Sequence, residues 1–366
     1  MLKKVIISGG GTGGHIFPAL AIANEIKSRY PDVSILFVGA EGKMEMERVP
    51  AAGYPIVGLP IVGLQRKLSL ANFALPFKLI DSLLKAKKII KDFQPQVVIG
   101  VGGYASGPTL KMAQRLKIPT VIQEQNSFPG KTNRLLSKDV AAVCTAYEGL
   151  ESVFGSKVQL TGNPVRQELK ELTLSKAEAC ACFPQLDPEK RTILVIGGSL
   201  GARTLNESVL FAADLYEKEK VQILWQCGKY YFESMKNEVA KLNTKTIVLT
   251  DFIARMDAAY TVADLIVSRA GALSISELCL VGKPTILVPS PNVSEDHQTK
   301  NAMALVKHDA TLLVKDVDAK KQVMQNAFDC LNDNRQSTAL GIAIKQLAKP
   351  NAAAEIVDVI EGLVKR

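Results

Sequence analysis

The glycine-rich turn at residues 8–15 constrains the fold of this chain more than any other stretch. It holds five glycines, and the run Val5-Ile6-Ile7 before it is short, apolar and β-branched, which predicts a buried strand. Apolar side chains recur at helical spacing from Phe17 to Ile26 after it. A strand, a glycine turn and a helix in that order aim backbone N–H groups at one point, which suits a phosphate or another anion. A plain turn rarely needs so many glycines, so we interpret this one as a binding loop.

The same turn matches the dinucleotide-binding fingerprint G-x-G-x-x-G at Gly9, Gly11 and Gly14. That fingerprint also needs an acidic residue at the end of the second strand to bind the ribose. The second predicted strand, 35–38, is followed by Gly39-Ala40, and Glu41 comes late, on a predicted loop. A P-loop would need Gly-Lys-Ser/Thr after the glycines, and this is missing. An NAD-dependent oxidoreductase therefore stays the weaker alternative.

Strand-like runs alternate with helical patterns throughout the 366 residues, a length that suits two domains. The scheme restarts in the second half, where a strand at 192–196 is followed by the glycine turn 197–202. This predicts an α/β fold with two Rossmann-like parallel-sheet domains. We place the domains at 1–163, completed by a C-terminal helix at 350–366, and at 164–349. The predicted strands are 5–8, 35–38, 97–101, 120–123, 140–144, 158–160, 192–196, 221–226, 246–249, 265–268, 285–289 and 310–314.

Composition argues against a membrane-spanning, a metal-cluster and a nucleic-acid-binding protein. Apolar residues make up 47% of the chain and charged residues 22%, and no run approaches the ~20 apolar residues of a membrane span. The six cysteines form no CxxC pair and the chain has three histidines, so we expect reduced thiols, no metal cluster and, with no signal peptide in view, a cytoplasmic protein. The net charge of +9 with 6% aromatic residues favours phosphorylated substrates or anionic lipid over nucleic acid.

One segment breaks the pattern of strands and helices. Residues 70–80 are apolar nearly all round, and Lys85, Lys87, Lys88 and Lys91 follow. Basic residues beside an apolar stripe are typical of a surface that touches a membrane without crossing it. A core helix with a solvated lysine face explains the residues alone equally well.

Further polar turns follow the predicted strands. They are 100–108 and 123–126 in the first domain, 162–166 at the join, and 268–277 and 295–301 in the second domain. The first three of these turns are expected at one strand edge, and polar loops that converge in this way indicate a ligand site. Ser274 and Glu277 also have the spacing of a capping box, so Glu277 has a purely structural alternative role.

Taken in order, these motifs resemble the peptidoglycan N-acetylglucosaminyltransferases of glycosyltransferase family 28, which have the GT-B fold. The matches are GGTGGH at 10–15, GGYxSGP at 102–108, EQN at 124–126, GNPVR at 162–166, GGSxGA at 197–202, GALxxSE at 271–277, and Gln298 before Asn301. They span nearly the whole chain. Leu200 and His297 stand where the family often has glutamine, which leaves their contacts in doubt.

The resemblance implies two Rossmann-like domains facing across a deep cleft, with the acceptor on the first and the donor UDP-GlcNAc mainly on the second. The reaction would be inverting transfer of GlcNAc to the 4-hydroxyl of MurNAc in lipid I, giving lipid II. The implied UDP-GlcNAc site comprises Thr12, Gly13, Gly14, Asn126, Arg166, Ser199, Ile253, Ala272, Leu273, Ser274, Glu277 and Gln298. The implied acceptor site comprises Gly11, Gly102, Gly103, Tyr104 and Ser106. No DxD-like pair follows a predicted strand, so we expect neither a metal nor a cofactor.

Two residues are candidates for the general base, His15 and Glu124, and His15 has the more suitable intrinsic pKa. His15 has an alternative role in orienting its loop. Because the acceptor is a polyprenyl lipid, the resemblance also favours the membrane interpretation and the cytoplasmic face of the plasma membrane. The implied membrane contacts are Phe73, Leu75, Phe77, Lys78 and Leu79, with Lys85 and Lys88 beside them. A UDP-GlcNAc 2-epimerase and a non-catalytic nucleotide-sugar binding protein remain alternatives.

Overall fold

The computed structural model describes residues 1–61, 75–198, 200–242 and 244–364. The chain divides into two compact units, Met1–Val165 with Asn351–Arg366, and Arg166–Pro350. Within the described residues, no helix is both long and apolar enough to span a membrane.

The first unit is built on a seven-stranded parallel sheet with the order β3-β2-β1-β4-β5-β6-β7. Its strands are β1 (Lys4–Ser8), β2 (Ser34–Ala40), β3 (Ile56–Leu59), β4 (Val97–Gly100), β5 (Thr120–Glu124), β6 (Ala142–Thr145) and β7 (Val158–Leu160). Its helices are α1 (Gly13–Arg29), α2 (Glu45–Ala51), α3 (Leu75–Phe93), α4 (Ser106–Arg115), α5 (Lys131–Leu136), α6 (Glu151–Phe154) and, at the end of the chain, α15 (Ala352–Val364).

The second unit repeats this plan with a six-stranded parallel sheet of order β10-β9-β8-β11-β12-β13. Its strands are β8 (Arg191–Ile196), β9 (Val221–Gln226), β10 (Ile247–Thr250), β11 (Leu265–Ser268), β12 (Thr285–Leu287) and β13 (Leu312–Leu313). Its helices are α7 (Lys176–Cys180), α8 (Arg203–Phe211), α9 (Phe232–Lys241), α10 (Met256–Val262), α11 (Ala272–Val281), α12 (His297–Val306), α13 (Asp316–Asn332) and α14 (Asn334–Gln346).

The alternation of side chains along β1 explains why both faces of the first sheet are covered. Val5 and Ile7 belong to one buried cluster with helix α1, whereas Ile6 belongs to the opposite cluster. The C-terminal helix α15 completes the first of these clusters through residues such as Ile356, and its Glu361 lies 3.1 Å from Arg29 of α1. The end of the chain therefore packs on the sheet with which the chain begins.

Among the described residues, the structure has one strand that the sequence does not predict. This is β3, an edge strand of four residues that contains Gly58 and stands between Pro55 and Pro60. Gly and Pro ordinarily indicate a turn. Here the glycine is required by packing, because a Cβ at Gly58 would lie 2.6 Å from Cγ of Glu41.

Candidate active site

The candidate site of the first unit lies where its strand order reverses, between β1 and β4. Ligands of open parallel sheets bind outside the carboxyl ends of the strands at such a point. The turn after β1 meets the turn after β4 backbone to backbone, since Gly10 N–H donates to the Gly102 carbonyl at 3.3 Å. A Cβ at Gly103, where φ is +85°, would lie 2.3 Å from the Gly10 oxygen. The two predicted loops are thus brought together, and glycine is required where they touch.

His15 is oriented by its own loop. Its Nδ1 lies 3.0 Å from the carbonyl oxygen of Gly10 and 3.3 Å from Oγ1 of Thr12. A carbonyl can only accept, so the Gly10 contact assigns the proton of the neutral ring to Nδ1 and the lone pair to Nε2. The Nε2 edge lies against the second loop, since a Cβ at Gly102 would be 2.8 Å from it. The ring therefore presents its basic nitrogen at the meeting of the two loops.

Glu45, the first residue of α2, was not singled out by the sequence, although it supports this turn. Its carboxyl is 1% exposed and accepts from Gly11 N–H at 2.7 Å and from Ala40 N–H at 3.0 Å. The Gly11 N–H is therefore directed inward and already paired, and the place of Gly11 in the acceptor site stays a prediction. The sequence gives little signal for this role, because Glu41 stands closer to the end of the second strand and the space that Gly39 leaves for Glu45 is seen only in the structure.

The structure argues against Glu124 as the general base. The side chain is 2% exposed, and its oxygens accept from Asn126 N–H at 3.0 Å, Gly130 N–H at 3.1 Å and Asn133 Nδ2 at 2.8 Å. Burial raises the pKa of this carboxyl, while these hydrogen bonds lower it. Glu124 is buried and holds the loop that carries Asn126, which favours His15 over Glu124 as the base.

The other predicted acceptor residues separate into exposed and buried ones. Tyr104 is 51% exposed at the tip of its loop and is accessible to a ligand. Ser106 is fully buried, and its Oγ has no hydrogen-bond partner within the described parts of the chain. Its Oγ packs beneath Gly100, where a Cβ would lie 2.6 Å away. The Ser106 hydroxyl is thus buried in the structure, and its contact with the acceptor stays a prediction.

A buried amide network holds the polar loops of the first unit. Gln123 Nε2 donates to Asn163 Oδ1 at 2.9 Å, and Asn163 Nδ2 donates to the Gln125 carbonyl at 3.1 Å. Gln125 Nε2 in turn donates to the carbonyl of Val101 at 2.8 Å. The amides of these motifs therefore position loops, a role that motif spacing alone does not reveal.

The second unit has its own reversal of strand order, between β8 and β11. The glycine turn after β8 is packed against the end of β9, because a Cβ at Gly201, where φ is +79°, would meet the Cys227 oxygen. Gln226 bridges this turn to the next loop: its Nε2 donates to Gly198 O at 3.0 Å, and its Oε1 accepts from Ile253 N–H at 2.8 Å. The N–H of Ile253 is thus occupied by Gln226. Ser199 lies outside the described residues.

Helix α11 begins at Ala272 with Gly271 as its N-cap, and no side chain caps it. The capping-box alternative is therefore wrong, because Ser274 lies inside the first turn and Glu277 lies further along the helix. A glycine N-cap contributes no side-chain oxygen to the helix N-terminus, where the helix dipole favours an anion. Leu273 and Ser274 are both half-buried in this turn.

Glu277 belongs to a small charged cluster. Its Oε2 accepts from the hydroxyl of the fully buried Tyr260 at 3.0 Å, and its Oε1 lies 3.6 Å from Nε of Arg166. Only 15% of the Glu277 side-chain surface is exposed, and burial raises the pKa of its carboxyl against the opposing effects of Arg166 and Tyr260. The structure thus brings together Arg166 and Glu277, which the sequence assigns to different parts of the donor.

Gln298, in the first turn of α12, is held by the preceding loop. Its Oε1 accepts from Ser290 N–H at 2.8 Å. The fixed oxygen orients the amide, so that its Nε2 is the group left to serve as a donor. This suits a side chain that recognises an oxygen of a ligand.

The exposed face of α3 bears on the two interpretations of this segment, a membrane-contacting surface and a core helix. Ser82, Ala86 and Ile90 are buried. On the other side Phe77 is 76% exposed, Ile80 56% and Leu84 62%. The helix therefore has a solvated apolar stripe, and a wholly buried core helix is excluded for the described part. Leu79 is also exposed and Lys78 half-buried, whereas Phe73 and the side chain of Leu75 lie outside the described residues.

Two family models match successive parts of the chain. The Glycosyltransferase family 28 N-terminal domain model matches residues 5–145, and the Glycosyltransferase family 28 C-terminal domain model matches residues 192–358. The Parabacteroides distasonis protein named UDP-N-acetylglucosamine--N-acetylmuramyl-(pentapeptide) pyrophosphoryl-undecaprenol N-acetylglucosamine transferase is 52% identical over 364 residues, 99% of each chain.

Two solved structures have the same fold as this chain. The crystal structure of Acinetobacter baumannii MurG has a TM-score of 0.80 and 31% identity, over 98% of this chain and 99% of that one. A putative UDP-N-acetylglucosamine 2-epimerase from Listeria monocytogenes has a TM-score of 0.72 at 13% identity, over 99% of this chain and 96% of that one, a likeness of fold alone. The predicted α/β class with two parallel-sheet domains and the GT-B fold are confirmed, and the chain belongs to glycosyltransferase family 28.

Proposed function

We propose that this chain transfers N-acetylglucosamine from UDP-GlcNAc to the 4-hydroxyl of the N-acetylmuramic acid in lipid I, giving lipid II for peptidoglycan synthesis. The observation that carries this function is the 52% identity, over 99% of both chains, to a transferase of that name. The geometry supports it, because each unit places its polar loops at the reversal point of its sheet.

The second unit binds the donor in this proposal. The uncapped N-terminus of α11, at Ala272, Leu273 and Ser274, and the turn at Ser199 hold the diphosphate, with Arg166 as a cation beside it. Glu277 accepts from the ribose hydroxyls. Since the N–H of Ile253 is already paired, its carbonyl is the group that reads the uracil. Gln298 donates to a GlcNAc hydroxyl, and Asn126, Thr12, Gly13 and Gly14 of the first unit complete the donor contacts.

The first unit binds the acceptor and supplies the base. Gly11, Gly102, Gly103 and Tyr104 surround the lipid I pyrophosphate. Nε2 of His15 takes the proton of the 4-hydroxyl as the oxygen bonds to C1 of GlcNAc, while the C1–phosphate bond breaks and UDP leaves with the electron pair. Charge builds on the departing diphosphate, where N–H groups, a helix N-terminus and Arg166 stabilise it. The configuration at C1 inverts because the attack comes from the opposite face.

The direct test is incubation with labelled UDP-GlcNAc and a lipid I analogue. Transfer gives UDP and a labelled disaccharide-lipid in equal amounts. A 2-epimerase would instead change the sugar of UDP-GlcNAc with no acceptor present, and a binding protein would leave both substrates intact. Either result would refute the proposed transfer.

The donor assignment predicts a selective effect on stability. A ligand that binds only the folded state stabilises it by mass action, by about 2.7 kcal/mol at a hundred times Kd. We expect UDP-GlcNAc to raise Tm by several degrees, measured by differential scanning fluorimetry, and ADP and NAD at the same concentration to have little effect. Equal stabilisation by NAD would contradict the donor assignment and revive the oxidoreductase alternative.

The exposed stripe of α3 supports a second part of the proposal, contact with an anionic membrane at the cytoplasmic face. Phe77, Ile80 and Leu84 recur at helical spacing on the exposed side, and Lys88 is exposed beyond them. Exposed apolar residues next to basic ones suit shallow insertion among anionic head groups, at about 1 kcal/mol per charge near the surface. Lys85 contributes less than the sequence suggests, because its ammonium lies 2.8 Å from Glu41.

Vesicle co-sedimentation tests this contact. We expect binding that grows with the fraction of anionic lipid and falls with salt, because surface charges are screened. The double variant Phe77→Ser, Leu84→Ser should lose most of the binding yet keep its turnover of a short-chain, water-soluble acceptor. Phe211→Ser, at a residue 57% exposed in the second unit, is the matched control and should bind like the parent. Undiminished sedimentation of the double variant would place the membrane contact elsewhere.

A further inference from the structure

We infer that Glu45 is a positioning residue for His15 and acts through the peptide bond between Gly10 and Gly11. The inference rests on the proposed function in taking His15 as the base, but the hydrogen bonds that carry it do not depend on any substrate. The Gly11 N–H donates to Glu45 Oε2 at 2.7 Å, and the Gly10 carbonyl lies 3.0 Å from His15 Nδ1.

The two hydrogen bonds belong to one planar unit. In a trans peptide the C=O of one residue and the N–H of the next point in opposite directions. When Glu45 draws the Gly11 N–H toward the interior, the Gly10 carbonyl is therefore turned outward to the imidazole. The carboxylate fixes the peptide, and the peptide fixes both the ring orientation and the tautomer that leaves Nε2 unprotonated.

The Glu45 side chain is itself buried and hydrogen-bonded through both oxygens. It is 1% exposed, and its second oxygen accepts from Ala40 N–H, the last residue of β2, at 3.0 Å. No side chain fits at Gly10, where φ is +146° and a Cβ would lie within 2.6 Å of three carboxyl atoms of Glu45. Gly10 and Glu45 are thus fitted to each other, and the carboxylate is held by one backbone donor in the turn, Gly11, and one at the end of β2, Ala40.

The arrangement has an electrostatic consequence. A carboxylate behind a hydrogen-bonded peptide polarises it and strengthens the carbonyl as an acceptor. When His15 takes a proton at Nε2, the Nδ1–H bond to Gly10 and the negative charge behind it stabilise the imidazolium, as the carboxylate of a catalytic triad does by direct contact. Here the contact passes through one peptide unit.

Tyr104 and Glu124, the titratable groups on the neighbouring loops, do not place a buried negative charge behind the Gly10–Gly11 peptide. Tyr104, on the loop after β4, is half exposed. Glu124, at the end of β5, is bonded to the backbone and side chains of its own loop. Among the residues that the structure describes, Glu45 is the buried carboxylate that hydrogen-bonds to the turn itself.

The test is Glu45→Gln, which keeps one acceptor oxygen, replaces the other by an NH2 group and removes the charge. We expect kcat to fall about tenfold or more with the KM for UDP-GlcNAc little changed, and the acid limb of the pH–rate profile to move to lower pH by roughly half a unit, because the imidazolium loses a stabilising charge. The matched control is Glu47→Gln, the same substitution at an exposed position of α2. An unmoved acid limb, with kcat like that of the control, would overturn the inference.

A second measurement does not depend on turnover, and its first part uses the unchanged chain. The chain has three histidines, so a His15→Asn variant identifies the His15 imidazole signal by NMR. In the unchanged chain the amide proton of Gly11 should shift with the same midpoint as the His15 ring. In Glu45→Gln the ring should titrate at lower pH. If the Gly11 amide signal does not shift as His15 titrates, the inference that Glu45 acts through the Gly10–Gly11 peptide is refuted. A parent chain that forms no lipid product refutes only the proposed function.

Discussion

Replacing His15 by alanine is expected to lower kcat by about a hundredfold or more, because a positioned general base contributes a factor of this size. The KM for UDP-GlcNAc should change little, since the proposed donor contacts lie mainly in the second unit. The measurement is steady-state transfer to a lipid I analogue with both substrates varied. His308→Ala, at an exposed histidine, is the control and should behave like the parent.

A second substitution separates base chemistry from loop support. Asparagine can place an amide N–H near the position of Nδ1, so His15→Asn keeps a donor for the Gly10 carbonyl but has no basic nitrogen. If His15 is the base, His15→Asn loses as much activity as His15→Ala. Recovery of activity in His15→Asn would show that the histidine only orients its loop.

The strands and the family could be read from the sequence, because both rest on local signals. Runs such as Ile193 to Ile196 are apolar and follow turn residues, and the glycine motifs keep their order along the chain. The edge strand β3 was missed because Gly58 carries a turn signal locally while its reason, contact with Glu41, is a matter of tertiary packing.

The site was harder to predict for the same physical reason. Motif spacing gives the turn on which a residue lies, but not whether its side chain faces a ligand or the interior. Glu124 and Ser106 stand in strong motifs and are buried. Glu45 stands in no motif, yet it is hydrogen-bonded to the central turn, because its partners are backbone N–H groups that leave no trace in composition.

Ser274 and Glu277 show how a local rule can mislead. Their spacing fits a capping box, but Gly271 already supplies an extended residue at φ −66° and ψ 142°, from which the helix begins three residues earlier. Ser274 therefore lies in the first turn and Glu277 in the second. Glu277 therefore does not cap the helix. Its partners are Tyr260 of α10 and Arg166, which precedes α7.

Replacing Glu277 by glutamine should consequently weaken donor binding without unfolding the second unit. Hydrogen bonds to a charged group contribute about 1.5–3 kcal/mol, so we expect the Kd for UDP-GlcNAc to rise by about tenfold to a hundredfold in calorimetric titration. The amide oxygen can still accept from the Tyr260 hydroxyl, and the helix needs no cap from this residue, so denaturant unfolding should change little. Glu168→Gln removes a nearby exposed charge and serves as the control.

The pH dependence of the same binding gives a sharper test. The ribose contact needs the ionised carboxylate, and burial holds the pKa of Glu277 above its ordinary value. Protonation on lowering the pH therefore begins above the range of a solvated glutamate, and donor affinity should fall there in the parent. UDP-GlcNAc is a diphosphate diester and does not itself titrate in that range. The Glu277→Gln variant should bind weakly and with a flat profile; an affinity equal to the parent's, falling in the same way with pH, would remove Glu277 from the ribose site.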